Sequence, residues 1–183
     1  NNLFTTLPES IKFMPSLEIL RIDNNRLITL PPFIRNLARL KVLSAKSNQI
    51  ERLPEQIGEL KNLKKLLLRR NNLHELPKSL GLLSNLQVLN LRLNEIETFP
   101  RALLALKSLE HLNLSSNHLI EVPKNISALK SLKFLNLCHN KLLSIPHTLA
   151  TLPDLKKLQI RANHFIDLPE AIKKMKVRGL KLD

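Results

Sequence analysis

Asparagine recurs at positions 2, 25, 48, 71, 94, 117, 140 and 163 of this 183-residue chain, an interval of 23 kept without a slip. Proline keeps the same interval, at 8, 31, 54, 77, 100, 123, 146 and 169. Self-similarity this strict means stacked copies of one supersecondary unit, each packing mainly on its neighbours, in place of one globule around one core. The functional question then narrows to which residues vary between copies, and on which face they lie.

The third unit shows the pattern: Leu63, Leu66, Leu68, Asn71, Leu73, Leu76, Pro77, Leu80 and Leu83. Seven complete units start at Leu17, Leu40, Leu63, Leu86, Leu109, Leu132 and Leu155. Within each, a stretch such as Lys65-Leu66-Leu67-Leu68-Arg69 alternates as a half-buried strand must. After the proline the apolar spacing becomes three, as in Ile57 and Leu60, which suits one or two helical turns. The recurrent asparagine falls where the chain leaves the strand. Its side chain carries donors and an acceptor, so it is expected to point inward and bridge the backbone of the coils on either side. Proline, with its fixed φ, is expected at the first position of the helical turn.

With these motifs the chain resembles leucine-rich repeat proteins, and the Leu-Pro-x-x-Ile half is similar to their 23-residue class. That class includes Ras-pathway and Scribble-like scaffolds, plant intracellular repeat proteins and bacterial effectors. The resemblance covers essentially the whole chain. It implies a right-handed α/β horseshoe with a concave parallel sheet and short helical or 3-10 turns on the convex side. It also implies a protein-binding scaffold. Residues 1–16 supply a half repeat, residues 17–176 seven repeats, and 177–183 read as a last strand with the register shortened by one residue. Neither end shows the polar cap a solenoid needs, so the chain is expected to be a piece of a longer protein.

Composition narrows the setting. No run of 18 apolar residues exists, so no spanning helix is expected, and no integral membrane segment. The single cysteine, Cys138, cannot form a disulfide-bonded cap within the chain, which favours a reducing, cytoplasmic location. The sequons at Asn113 and Asn125 oppose this only weakly. Net charge is +14, and such a field favours acidic partners, whether protein, nucleic acid or anionic lipid.

Binding information must lie at the variable strand positions, which stack into columns about 4.8 Å apart per step. The first column is Ile19, Val42, Lys65, Val88, His111, Phe134 and Lys157, and the second is Arg21, Ser44, Leu67, Asn90, Asn113, Asn136 and Gln159. The third is Asp23, Lys46, Arg69, Arg92, Ser115, Cys138 and Arg161, and the fourth runs Asn24, Ser47, Arg70, Leu93, Ser116, His139 and Ala162. These columns hold eight basic residues and one acid, against 21 and 14 in the rest of the chain. A merely solvated surface mixes signs more evenly. Lys65, Leu67, Arg69, Arg70, Arg92 and Leu93 form one candidate partner-binding patch, with arginine forks suited to carboxylates. His111 and Phe134, beside the amide row, form another, and Arg161 is a further cation. Phe134 reads equally as a partner anchor or as cross-strand packing on His111.

No catalytic or metal-binding constellation stands out, and no cofactor is expected. Cys138 and His139 are sequence neighbours that a strand projects to opposite sides, and no carboxylate lies nearby to orient a histidine. The expectation is a non-enzymatic, monomeric module that binds an acidic protein, in a cytosolic scaffold or, by preference, a bacterial effector acting in host cytosol. Alternatives are a binder of RNA or phosphoinositide, the recognition arm of an enzyme whose catalytic domain lies outside this chain, and a bare spacer.

Overall fold

A computed structural model describes residues 2–177 and 181–182. Strands β1 (Ile19–Arg21), β2 (Val42–Ser44), β3 (Lys65–Leu67), β4 (Val88–Asn90), β5 (His111–Asn113), β6 (Phe134–Asn136), β7 (Lys157–Gln159) and β8 (Lys181–Leu182) form one parallel sheet in chain order. From β1 to β7 each residue pairs with the one 23 positions on, so Ile19, Val42, Lys65, Val88, His111, Phe134 and Lys157 lie in one row. Between strands the chain crosses the convex side in five-residue 3-10 turns such as Glu55–Glu59 and Lys78–Leu82. An α-helix, α1 (Glu170–Val177), makes the final crossing.

The period translates directly into burial. In the third unit Leu63, Leu66, Leu68, Leu73, Leu80 and Leu83 are all fully buried. Each such side chain contributes about 2 kcal/mol by leaving water. The asparagines do point inward. Asn94 Nδ2 donates to the carbonyls of Leu91 (2.9 Å) and Leu68 (3.0 Å), while its Oδ1 accepts from Leu73 N–H (3.1 Å). Asn71, Asn117 and Asn140 repeat the arrangement, so one amide closes its own turn and ties it to the preceding coil.

Two expectations are corrected. Proline precedes the first position of the 3-10 turn: Pro31, Pro54 and Pro77 cap it with φ between −73 and −64° and an extended ψ of 148 to 153°. Its ring holds the corner extended and leaves the turn to start one residue later. The last strand also differs from the expected 177–183. Val177 still belongs to α1, and pairing resumes at Lys181, with Leu182 opposite Leu158. The register thus lengthens to 24 residues where a shortening to 22 was expected. An eight-residue α-helix replaces the five-residue 3-10 turn here and takes up more chain on the convex side. Residues 178–180 and 183 of the expected strand lie outside the described residues.

The convex turns pack closely at Gly58. A Cβ there would sit 2.3 Å from the Ser79 carbonyl oxygen in the next coil, inside any permitted contact. At Gly81 the Ala102 carbonyl oxygen would lie 2.9 Å away. Among the described residues no helix is long and apolar enough to cross a membrane.

Candidate interaction surface on the concave sheet

Three-residue strands present alternate side chains: the middle leucine faces the core, and the flanking residues face the concave side. The register sets those flanking residues side by side. Lys65 lies between Val42 and Val88, and Leu67 between Ser44 and Asn90. Past the strand, Arg70 N–H donates to the Arg92 carbonyl (2.8 Å) and Asn71 N–H to the Leu93 carbonyl (3.2 Å), so the Arg69–Arg70 and Arg92–Leu93 pairs occupy adjoining coils. Lys65, Arg69, Arg70 and Arg92 are exposed and form no ion pair among the described residues.

The fourth column has a backbone reason of its own. Every member from Asn24 to Ala162 has φ between 53 and 59°, including Arg70 and Leu93. Left-handed backbone costs a residue with a bulky Cβ about 1–2 kcal/mol. Arginine and leucine stand where asparagine or glycine fits with less strain. No glycine in the sequence flags this position, which hid the turn from the sequence reading.

The second patch is built across β5, β6 and β7. The His111 and Phe134 rings lie 6.1 Å apart at 38°, and Lys157 Nζ sits 5.9 Å from the Phe134 centroid. Phe134 is half-buried, gripped between its two row neighbours, while His111 is exposed. The cross-strand packing reading therefore has a physical basis.

The amide row is partly self-satisfied. Asn90, Asn113 and Asn136 each accept, through Oδ1, the backbone N–H two residues on, at 3.0 Å. Asn136 Nδ2 also donates to Gln159 Oε1 (3.0 Å). These amides stiffen the exit from each strand before they do anything for a partner. Asp23 closes the N-terminal end in a similar way, accepting from Ser44 Oγ (2.6 Å) and Lys46 N–H (2.7 Å) and lying 3.7 Å from Lys46 Nζ. Asp23 thereby offsets part of the Lys46 charge, while Lys65, Arg69, Arg70 and Arg92 cluster on β3 and in the turns after β3 and β4.

Arg161 stands apart. It lies three coils beyond Arg92 in the third column, about 14 Å away at strand spacing. It is exposed. At the leading edge of β5, Lys133 Nζ donates to Glu110 Oε2 at 2.8 Å, and that hydrogen bond, with the ammonium charge, holds the Glu110 carboxyl below its ordinary value. Cys138 is a half-buried thiol, and His139 occupies the left-handed turn position with φ 55°. Among the described residues no group of His, Cys, Asp or Glu is placed to hold a metal ion.

Sequence reasoning confined to the strands passed over the edge where each coil climbs from asparagine to proline. Glu51, Glu75, Glu97 and Glu121 lie there in successive coils. Reading the same 23-residue columns through the second half of the unit would have found them.

Parallel three-residue strands, 3-10 crossings and an internal asparagine ladder define a horseshoe solenoid with a concave sheet. The chain belongs to the leucine-rich repeat family: a model described as leucine-rich repeat region matches residues 33–117, and one described as leucine rich repeat matches 16–37, 108–129 and 131–152. No curated protein sequence matches. Among solved structures, a Leptospira interrogans leucine-rich repeat protein is 32% identical with a TM-score of 0.75, over 100% of this chain and 52% of that one. The ectodomain of the Arabidopsis thaliana receptor kinase GASSHO1/SCHENGEN3, solved in complex with Casparian strip integrity factor 2, is 28% identical with a TM-score of 0.84, over 95% and 22% respectively. An internalin of Listeria monocytogenes, InlF, shares the fold at 22% identity and a TM-score of 0.83, over 97% and 51%. The chain thus spans about half or less of the proteins it matches.

Proposed function

We propose that this chain is a protein-interaction module whose basic concave groove binds an acidic segment of a protein partner. The observation that carries the reading is the cationic cluster of Lys65, Arg69, Arg70 and Arg92 on adjoining coils, unpaired among the described residues, with Leu67 and Leu93 beside it. Arginine forks meet carboxylates in two parallel hydrogen bonds, and the leucines supply area that excludes water from those bonds. Phe134 and His111 extend the contact toward β7, where Arg161 adds charge. The family likeness supports a binding role without chemistry, and one neighbour was solved holding another factor. The scarcity of aromatic stacking groups, with Phe134 alone on this face, favours a protein over single-stranded RNA. One cysteine and a net charge of +14 suit a monomer at work in cytosol, and an effector role in a host cell is consistent with both.

The test is titration of a fluorescent peptide of alternating glutamate and leucine, in parallel with poly-uridine RNA and phosphoinositide vesicles. The peptide binds, and Arg69→Glu with Arg92→Glu weakens it about tenfold or more and flattens its salt dependence. Equal peptide affinity in the double variant removes the concave assignment. Tighter binding of RNA or vesicles than of peptide, with a steeper salt slope, moves the conclusion to a polyanion binder.

A further inference from the structure

The climbing edge of each coil carries a second non-repeating pattern, independent of the concave one. Backbone hydrogen bonds hold these segments together, as from Glu95 N–H to the Leu73 carbonyl (3.0 Å) and from Lys141 N–H to that of Leu119 (2.9 Å). Equivalent residues therefore recur about every 5 Å along the solenoid. From Asn25 on, the position three past each asparagine reads Ile28, Glu51, His74, Glu97, Ile120, Leu143 and Ile166, with Ile28, 50% exposed, set apart from the last three by three polar coils. Its last three members are 55, 61 and 95% exposed, in a protein whose other repeated aliphatic positions are mostly sealed. Three large aliphatic side chains from successive coils thus form a ridge in water, a feature that marks docking surfaces.

What lies beside the ridge indicates what covers it. Toward the N-terminus the same edge becomes a shallow groove of about 420 Å³, lined in part by Glu75, Thr98, Phe99, Arg101 and Glu121. It runs on into a hollow bounded by Glu51, Arg52, His74 and Glu97. The glutamates are exposed, and none forms an ion pair among the described residues, although the chain carries 29 lysines and arginines. Four carboxylates outnumber the two arginines of the lining.

We propose that this edge is a second docking surface, for a segment of another protein with aliphatic side chains at one end and lysine or arginine at the other. The aliphatic end covers Ile120, Leu143 and Ile166, and the cations reach Glu97, Glu121, Glu75 and Glu51. From Glu51 to Ile166 is five coil steps, about 24 Å, the span of about seven extended residues. Two copies of a chain with net charge +14 repel one another, so the occupant is a different protein. The module then holds an acidic partner in its groove and a basic one on its edge, and so joins two proteins of opposite charge.

A short fluorescein-labelled peptide of alternating leucine and lysine is a discriminating probe, because the net charge of the protein repels it everywhere except at an acidic surface. It binds the intact chain, and Glu97→Lys with Glu121→Lys weakens it about tenfold or more. Ile120→Ser with Leu143→Ser does the same while the melting temperature stays unchanged, as expected for exposed sites. Arg69→Glu with Arg92→Glu leaves this probe bound, so failure here and failure of the concave reading are separately visible. No binding, or binding indifferent to both edge variants, overturns the proposal. So does a dimer in sedimentation that Leu143→Ser dissolves, since that makes a second copy the occupant.

Discussion

Asn94 and Asn90 carry the same side chain four residues apart, yet one belongs to the buried ladder and the other to the concave sheet. Asn94 is buried, and its amide ties three backbone groups from two coils. Asn90 is half-buried and accepts one hydrogen bond from its own strand exit, at Arg92 N–H. The ladder position is asparagine in every unit, while the Asn90 column reads Arg21, Ser44, Leu67, Asn90, Asn113, Asn136 and Gln159. The period records what holds one coil to the next. Departures from the period, on the concave columns and along the climbing edge, are where recognition is free to be written.

Breaking the ladder has the largest expected effect. Asn94→Ala strands the Leu73 N–H inside the solenoid, at about 1–3 kcal/mol, and removes one of the two amide donors from each of the Leu68 and Leu91 carbonyls, which keep Asn71 and Asn117. A loss of roughly 3 kcal/mol in urea unfolding is expected, against less than about 1 kcal/mol for Asn90→Ala. Equal losses at the two positions erase the distinction between the regions.

Next comes the convex packing. Gly58→Ala forces the coil bearing Ser79 outward, because the obstacle is a backbone carbonyl and no side chain can swing away. Destabilisation of about 1–3 kcal/mol is expected by chemical denaturation, with little change in binding to the groove. A wild-type unfolding midpoint in the variant contradicts the close approach.

The left-handed turn sharpens the comparison because stability and binding should move in opposite directions there. Leu93→Asn relieves strain at φ 57° and is expected to raise stability by about 0.5–1 kcal/mol in thermal unfolding. The same change removes apolar area from the proposed groove and weakens the acidic peptide. If stability falls, Leu93 is held by packing and its exposure has no bearing on recognition.

The smallest effect is electrostatic. Glu110 keeps its carboxyl below the ordinary 4.5 through the Lys133 hydrogen bond and charge. A depressed folded-state pKa adds stability above the unfolded value and loses it as pH falls through the folded one. Wild type and Lys133→Met should therefore differ slightly near neutral pH and converge in acid below the carboxylate range. A gap in midpoint that widens in acid refutes the pairing. Because the pair is half-buried and still reached by solvent, salt should shrink the difference at neutral pH.

Much of this architecture was legible in the residues. The asparagine and proline intervals announced the solenoid, and the alternation around Leu66 located where each strand starts, although β3 ends at Leu67, two residues short of the expected Lys65–Arg69, which leaves the third and fourth columns in the turn. The proline pattern points one step too late, because its φ suits both the first turn position and the corner before it, and only ψ separates the two. The last crossing departs from the pattern because Glu170–Val177 follows the same leucine and proline spacing yet winds as an α-helix, which lengthens the register. The left-handed column was invisible without glycine to mark it. Of the candidate site, the adjacency of Arg69, Arg70, Arg92 and Leu93 followed from the period, whereas the hold of Lys157 and His111 on Phe134 depends on side-chain directions that spacing does not encode.

The most direct test is an amide chemical-shift map of the labelled chain on addition of the glutamate–leucine peptide. The account predicts that perturbations concentrate on β3 to β6 and the turn residues Arg69, Arg70, Arg92 and Leu93, leaving the convex 3-10 turns still. Shifts centred on the convex turns, or spread evenly over the surface, contradict a cationic groove as the place where this solenoid meets its partner.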